Sequence, residues 1–217
     1  MKDSFKTIAA PIIEEYKEKG SKFIAYAFPV NTELSWQVRL EEVKKLHPKA
    51  SHHCYAYRLG VDNNNYRAND DGEPSGTAGK PILGQLHSFE VTNVLVIVVR
   101  YFGGTLLGAS GLIHAYKTAA AAALQQAKIL EKTVSDVYRL TFDYAIMSEV
   151  MNAVKRLKLA IIQQNFGNIG VIDVGIRQSE VQETLPRLKA LIAKVHLEMV
   201  ADMEEIKGLN IAYLETV

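Results

Sequence analysis

The stretch Asp136-Val137-Tyr138-Arg139-Leu140-Thr141-Phe142-Asp143-Tyr144 decides the reading of the second half of this chain. Tyr138, Leu140, Phe142 and Tyr144 alternate with Val137, Arg139, Thr141 and Asp143, the period of a half-buried strand. Downstream, Ile146, Val150, Val154 and Leu157 recur at helical spacing on one face. A short apolar run, Leu159 to Phe166, ends at the turn signal Gly167-Asn168. Ile172, Val174 and Ile176 then alternate with Asp173, Gly175 and Arg177. Ser179 is placed to cap a helix whose apolar stripe is Val181, Leu185, Leu188 and Ile192. Pro186 predicts a late start or a kink there, because proline inside a helix costs about 3 kcal/mol. A last strand falls within His196 to Leu214. The order strand-helix-strand-strand-helix-strand is the ferredoxin-like (split βαβ) arrangement, expected over residues 132–217.

The first half, residues 1–131, is also mixed. Phe23 to Val30 reads as a strand. Thr32 is placed to cap a helix with Trp36, Leu40, Val43 and Leu46 facing inward, which Pro48 ends. His53 to Leu59 reads as a strand. From Asp62 to Lys80 the chain is polar and rich in Asn, Asp and Gly, a long loop of the kind that carries function or mobility. A short helix near Ile82 to Phe89 and the buried strand Val94 to Tyr101 follow. An alanine-rich helix then runs from about Ser110 to Lys128. Its run Ala119 to Ala123 favours helix and gives a thin face for close packing on a sheet.

Of the chain's 217 residues, 48% are hydrophobic and 23% charged, with a formal net charge of +1. This is the profile of an ordinary folded protein and excludes a disordered one. It also argues against a dedicated duplex binder, which carries a clear basic excess. Residues 1–130 hold 15 Lys+Arg against 12 Asp+Glu, net +3, and residues 131–217 hold 10 against 12, net −2. An RNA-facing surface is therefore expected on the first half, and Lys155, Arg156 and Lys158 are expected to form a solvated face. The single cysteine, Cys54, points to a reducing compartment. No apolar stretch is long enough for a signal peptide or a bilayer span, so a cytoplasmic address is expected.

Three segments could carry function. In Asp70-Asp71-Gly72-Glu73-Pro74-Ser75-Gly76-Thr77-Ala78-Gly79-Lys80-Pro81, three carboxylates fall within four positions, and three glycines lie among and after them. It reads as a recognition loop, as a hard-cation site on Asp70, Asp71 and Glu73, or as a solvated turn whose carboxylates cap the next helix. In Arg100-Tyr101-Phe102-Gly103-Gly104-Thr105-Leu106-Leu107-Gly108-Ala109-Ser110-Gly111, glycines lead from a buried strand into a helix N-terminus, a place receptive to anions. The alternative is a tight turn that lets helix and strand pack closely. Tyr101 and Phe102 offer faces on which a base can stack or else fill the core, the latter favoured for one of them. In Ser51-His52-His53-Cys54-Tyr55, strand alternation lets His52 and Cys54 share a face. That is too few ligands for zinc, and buried, hydrogen-bonded side chains are expected instead. No metal, cofactor or catalytic residue is assigned.

Taken together, Asp70 to Gly79, then Val98-Val99-Arg100-Tyr101-Phe102-Gly103-Gly104, then Leu107-Gly108 with Gly111-Leu112-Ile113-His114-Ala115-Tyr116, resemble the signature of the IMPACT (YigZ-like) family, bacterial two-domain type. Ser51 to Ala56 resembles its upstream strand, and the C-terminal half resembles the small domain of bacterial members. The resemblance implies a ribosomal protein S5 domain 2-like fold over residues 1–131. It also implies a ferredoxin-like domain similar to the last domain of elongation factor G over 132–217. It further implies a translation-related docking role on RNA, the ribosome or a translation factor. Eukaryotic members, which carry an additional RWD domain, restrain a translation-initiation-factor kinase by competing for its activator. This chain begins almost directly with the shared domain, so that partnership is not expected to carry over.

The expected patch comprises Lys22, Asp71, Glu73, Ser75, Thr77, Lys80, Arg100, Tyr101, Gly103, Gly104, Ser110 and His114. Lys22, Lys80 and Arg100 are its candidate phosphate contacts. Bacterial relatives commonly have Arg or Lys where this chain has His114, so a phosphate contact there would be weaker and pH-dependent. An alternative is a phosphate- or nucleotide-binding enzyme, because Leu107 to Gly111 faintly resembles the phosphate loop of small-molecule kinases with the S5-like fold. Asp70, Asp71 or Glu73 would then hold Mg²⁺.

Overall fold

In the computed structural model, residues 4–61, 64–203 and 205–217 are described. The chain is a mixed α and β protein that divides into two compact units, one spanning Phe5–Lys132 and the other Thr133–Val217 together with Ser4. Among the described residues, no helix is long and apolar enough to cross a membrane.

The first unit is built on a strand whose sequence is apolar at every position from Val94 to Val99. In β6 (Val94–Tyr101), Val94, Val96 and Val98 face one core, while Leu95, Ile97 and Val99 face another. A strand covered on both sides has no polar face, hence the unbroken run. It pairs antiparallel with β3 (Ser21–Pro29) and β4 (His52–Leu59). With β2 (Ile12–Glu18) and β5 (Asn65–Asn69), the sheet order is β2-β3-β6-β4-β5. On one face lies α1 (Glu33–Leu46), opened by a reciprocal cap between Thr32 and Ser35. Trp36, Leu40 and Val43 are its buried stripe. Leu46, expected inward, is 66% exposed, because it falls in the last turn, where the helix is ending.

On the other face lie α2 (Gly79–Ser88) and α3 (Gly108–Gln126). The alanine run does form the thin face, with Ala119, Ala120 and Ala123 packed into the core beneath the sheet. The short strands β1 (Ser4–Ile8) and β7 (Ile129–Thr133), which pair with each other, were not expected. Nor was β5, which interrupts the polar stretch expected to be a loop. It is an exposed edge strand, and an edge position needs no apolar alternation. Asp62 and Asn63, at the start of that stretch, lie outside the described residues.

In the second unit, β8 (Ser135–Phe142), α4 (Met147–Arg156), β9 (Ala160–Phe166), β10 (Gly170–Arg177), α5 (Val181–Ala193) and β11 (Leu209–Thr216) follow in that order. The sheet order is β11-β8-β10-β9, all antiparallel. Leu140, Phe142, Ile172 and Val174 pack against Val150, Val154, Leu188 and Ile192. On the opposite face, Arg139 and Asp173 are cross-strand partners joined by two bonds of 2.8 Å. Helix α5 runs through Pro186: burial of Leu188 and Ile192 outweighs the lost backbone bond. Ser179 does not cap it, since Ser179 sits in a preceding 3-10 turn and Glu180 occupies the cap position without a side-chain bond. The segment Leu197–Asp202 is a further 3-10 turn, and the last strand begins within the expected stretch but runs two residues beyond Leu214.

Candidate functional site

The two glycine-bearing segments, distant in sequence, wall one open groove of about 500 Å³. From the first come Glu73 and Pro74. From the second come Arg100, Phe102 and the residues from Leu106 to Ala109, with Leu112 of α3 and His52 at the start of β4.

Three features position the first segment. Asp70 spends its carboxylate on backbone: Oδ2 accepts from Gly76 N at 2.8 Å, and Oδ1 accepts from Ala78 N at 3.0 Å and Gly79 N at 2.8 Å. Burial disfavours its ionised form, but the three N–H donors outweigh it and hold the carboxyl below its ordinary range. Asp70 is thus the side-chain cap of α2, supplied from outside the helix. Asp71 Oδ2 accepts from His53 N at 2.6 Å, and the Asp71 carbonyl accepts from His52 Nδ1 at 2.8 Å. Thr77 is buried, its hydroxyl donating to the Pro74 carbonyl at 2.6 Å.

Glu73 points inward and is 8% exposed. Its Oε1 accepts from Arg100 Nη1 and from the Tyr116 hydroxyl, each at 2.7 Å. The Cys54 thiol lies 2.9 Å from the Asp70 carbonyl and 3.3 Å from the Tyr116 hydroxyl. Burial pushes the thiol far above its ordinary range and does the same to Tyr116, so both stay protonated near neutral pH. Arg100 is 6% exposed and sits between the rings of Phe23 and Phe102, its Cζ 5.6 and 5.5 Å from their centroids.

These facts correct several expectations. Arg100 is not an open phosphate contact, because Glu73 neutralises it below the surface. Glu73 and Thr77 are likewise interior. The three carboxylates, for which a hard-cation site was one of three readings, are each committed to protein donors. Among the described residues, no cluster of His, Cys, Asp and Glu is arranged to hold a metal ion.

Strand alternation splits the patch further. Arg100 faces α3, so Tyr101, next to it, faces α1. There the Tyr101 hydroxyl lies 2.9 Å from His47 Nδ1, and the Tyr26 hydroxyl lies 2.6 Å from His47 Nε2. Burial, with His53 and Lys22 nearby, holds His47 below its ordinary value. Lys22, opposite Tyr101 in the β3–β6 ladder, is salt-bridged to Glu15. Lys22 and Tyr101 therefore belong to the other face of the sheet.

Gly103 donates to Ser21 Oγ at 3.2 Å, and Gly104 is exposed beside it. Ser75, Lys80, Ser110 and His114 are exposed, but none of them lines the groove. Of the two adjacent aromatics, Tyr101 is tied down and Phe102 is 49% exposed. Leu106, outside the expected patch, is 84% exposed at the rim. An apolar residue between glycines was the only available signal, and it is as common in packed turns.

The groove can therefore offer an apolar, concave surface over a neutralised ion pair. The surface is suited to burying a partner's apolar side chain, not to condensing on phosphates.

Comparison with known proteins agrees across the chain. The family model described as the Impact N-terminal domain matches residues 19–124. The IMPACT family member YvyE of Bacillus subtilis is 28% identical over 215 residues, covering 99% of this chain and 95% of its own length. The IMPACT family member YigZ of Escherichia coli is 32% identical over 188 residues, covering 86% of this chain and 92% of its own. A crystal structure described as that of a hypothetical protein, 29% identical, covers 99% of both chains with a TM-score of 0.72.

Proposed function

Because the chain belongs to the IMPACT family, we propose that it is a translation-linked regulatory protein that docks a partner protein through the groove beside Phe102 and Leu106. The translational role follows from what the family resemblance implies, and the partner first in line is the ribosome or a translation factor, met in the cytoplasm. The observation that carries the docking mode is the state of Arg100. It is the one Lys or Arg among the described residues lining the groove, and Glu73 already neutralises it. The exposed rim is apolar. A surface of that kind gains by removing apolar area from water and has little with which to release counterions from a nucleic acid.

The same reading assigns the two units to the ribosomal protein S5 domain 2-like and ferredoxin-like folds. Support for the second comes from its β-α-β-β-α-β order, with strands arranged fourth-first-third-second.

Capture from a lysate and ribosome co-sedimentation test the proposal, each with and without nuclease and across a salt series. Capture that survives nuclease and moderate salt, and is lost in Leu106→Asp and Phe102→Ser, supports it. Capture abolished by nuclease, or falling steeply with salt, replaces it with RNA binding. Capture that both variants retain removes the groove from the account.

A further inference from the structure

The second unit leaves one sheet edge bare. β9 stands last in the order β11-β8-β10-β9, so among the described residues the outer row of its backbone N–H and C=O groups meets no strand. Every residue of it, from Ala160 to Phe166, is exposed. Native proteins guard such edges with charged side chains, because a bare edge templates pairing with another chain. The other edges of the two larger sheets follow that rule. β2 carries Glu14, Glu15, Lys17 and Glu18, β5 carries Arg67, and β11 carries Glu215. From Leu159 to Ile172 the chain has no charged residue at all.

The bare edge is also apolar and held in place. Ile161, Ile162 and Phe166 are exposed, as is Ile169 in the turn that follows. The Tyr144 hydroxyl donates to the Gly167 carbonyl at 2.8 Å and pins that turn to the segment after β8. Gln163 pairs with Asp173 and Ile161 with Val174, which leaves Ile162 as a bulge. The bulge guards the first half of the edge. The stretch from Gln163 to Phe166 is regular and open.

The chemistry of that stretch names its partner. A foreign strand is told from others by complementary charge, and this edge has none to offer. Glutamine and asparagine side chains both donate and accept, so Gln163, Gln164 and Asn165 are satisfied by the same residues of an identical strand, and no like charges meet. Two identical antiparallel strands are related by a two-fold axis, the commonest symmetry of soluble oligomers. Facing residues must lie on the same side of the sheet, so the axis passes through a residue and not between two. Centring on Gln164 sets every amide opposite an amide, whereas centring on Asn165 sets Gln164 against Phe166.

We propose that β9 of one copy pairs antiparallel with β9 of a second copy about Gln164, joining two four-stranded sheets into one continuous sheet. Gln164 faces its own counterpart, Gln163 of each copy faces Asn165 of the other, and the flanking apolar side chains leave water.

Sedimentation equilibrium of the full chain over a concentration series tests this. Wild type should dimerise reversibly. Gln164→Lys and Gln164→Glu each set like charges opposite one another and should weaken the dimer about tenfold or more. Their melting temperatures in dilute solution should match wild type, since the position is exposed. An equimolar mixture of the two variants should dimerise again, with Lys opposite Glu. A chain that is monomeric across the series overturns the proposal, as does a dimer that both single variants keep, or a mixture that fails to recover it. Should the chain be monomeric and capture from a lysate a protein that Gln164→Lys releases, the edge belongs to a foreign strand and the second copy is ruled out.

Discussion

Gly103 lies so close to Gly20 that a Cβ built on it would stand 1.9 Å from the Gly20 carbonyl carbon and 2.2 Å from Ser21 N. The turn that forms one wall of the groove is thus set directly on the backbone of the β2–β3 hairpin. No side chain is available there to move aside, and the close contact is what fixes Phe102 at the rim.

Gly103→Ala should therefore destabilise the first unit by about 1–3 kcal/mol, the usual cost of overpacking, or more if the backbone cannot give. Urea denaturation measures it. A change below a few tenths of a kcal/mol would mean the two backbones separate freely.

Removing the Glu73 carboxylate while leaving Arg100 should cost more than removing both. Glu73→Ala strands a buried guanidinium and removes the acceptor of the Tyr116 hydroxyl proton, a loss on the order of 3–5 kcal/mol. Arg100→Met combined with the same Glu73→Ala should recover part of it. Chemical denaturation of the two single variants and the double variant closes the cycle. Additive losses would show that the pair is not coupled.

Asp70 should contribute to stability above acid pH only. Its carboxyl titrates lower in the folded chain than in the unfolded one, so the unfolded state takes up its proton first as pH falls. The contribution is complete above the unfolded value of about 3.9 and disappears as pH drops through the folded value. Asp70→Asn should thus cost about 1 kcal/mol at neutral pH, as losing a helix cap does. The gap to wild type should narrow as the buffer is acidified below about pH 4. Thermal melts over a pH series read this directly. A gap that widens on acidification would contradict the assignment of Asp70 as a charged cap.

Cys54 should be inert in the native protein. The thiol is buried, bonded to the Asp70 carbonyl, and pushed up well beyond its ordinary range by burial, which leaves almost no thiolate at neutral pH. Ellman's reagent should titrate it only after denaturant is added. Prompt reaction in native buffer would show that the core around Cys54 opens.

Much of the architecture was legible along the chain because burial writes itself into periodicity. The alternation of Tyr138 to Phe142, the helical spacing of Val150 and Val154, and the unbroken run Val94 to Val99 each name an element and the number of faces it buries. Edge strands such as β5 left no such mark, since a strand with little to bury can have any polar composition.

The site divides along the same line. Residue order alone brought out the two glycine-bearing segments as the places to look, because glycine and carboxylate content record backbone demands locally. Which atoms those segments turn outward was settled only by the tertiary fold. One residue of register separates Arg100 from Tyr101 and sends them to opposite faces of the sheet. Glu73, from a loop far back in the chain, meets Arg100 in the interior and cancels its charge. Whether a charge is available to a partner depends on what lies within a few ångströms of it in space, and sequence neighbours do not report that distance.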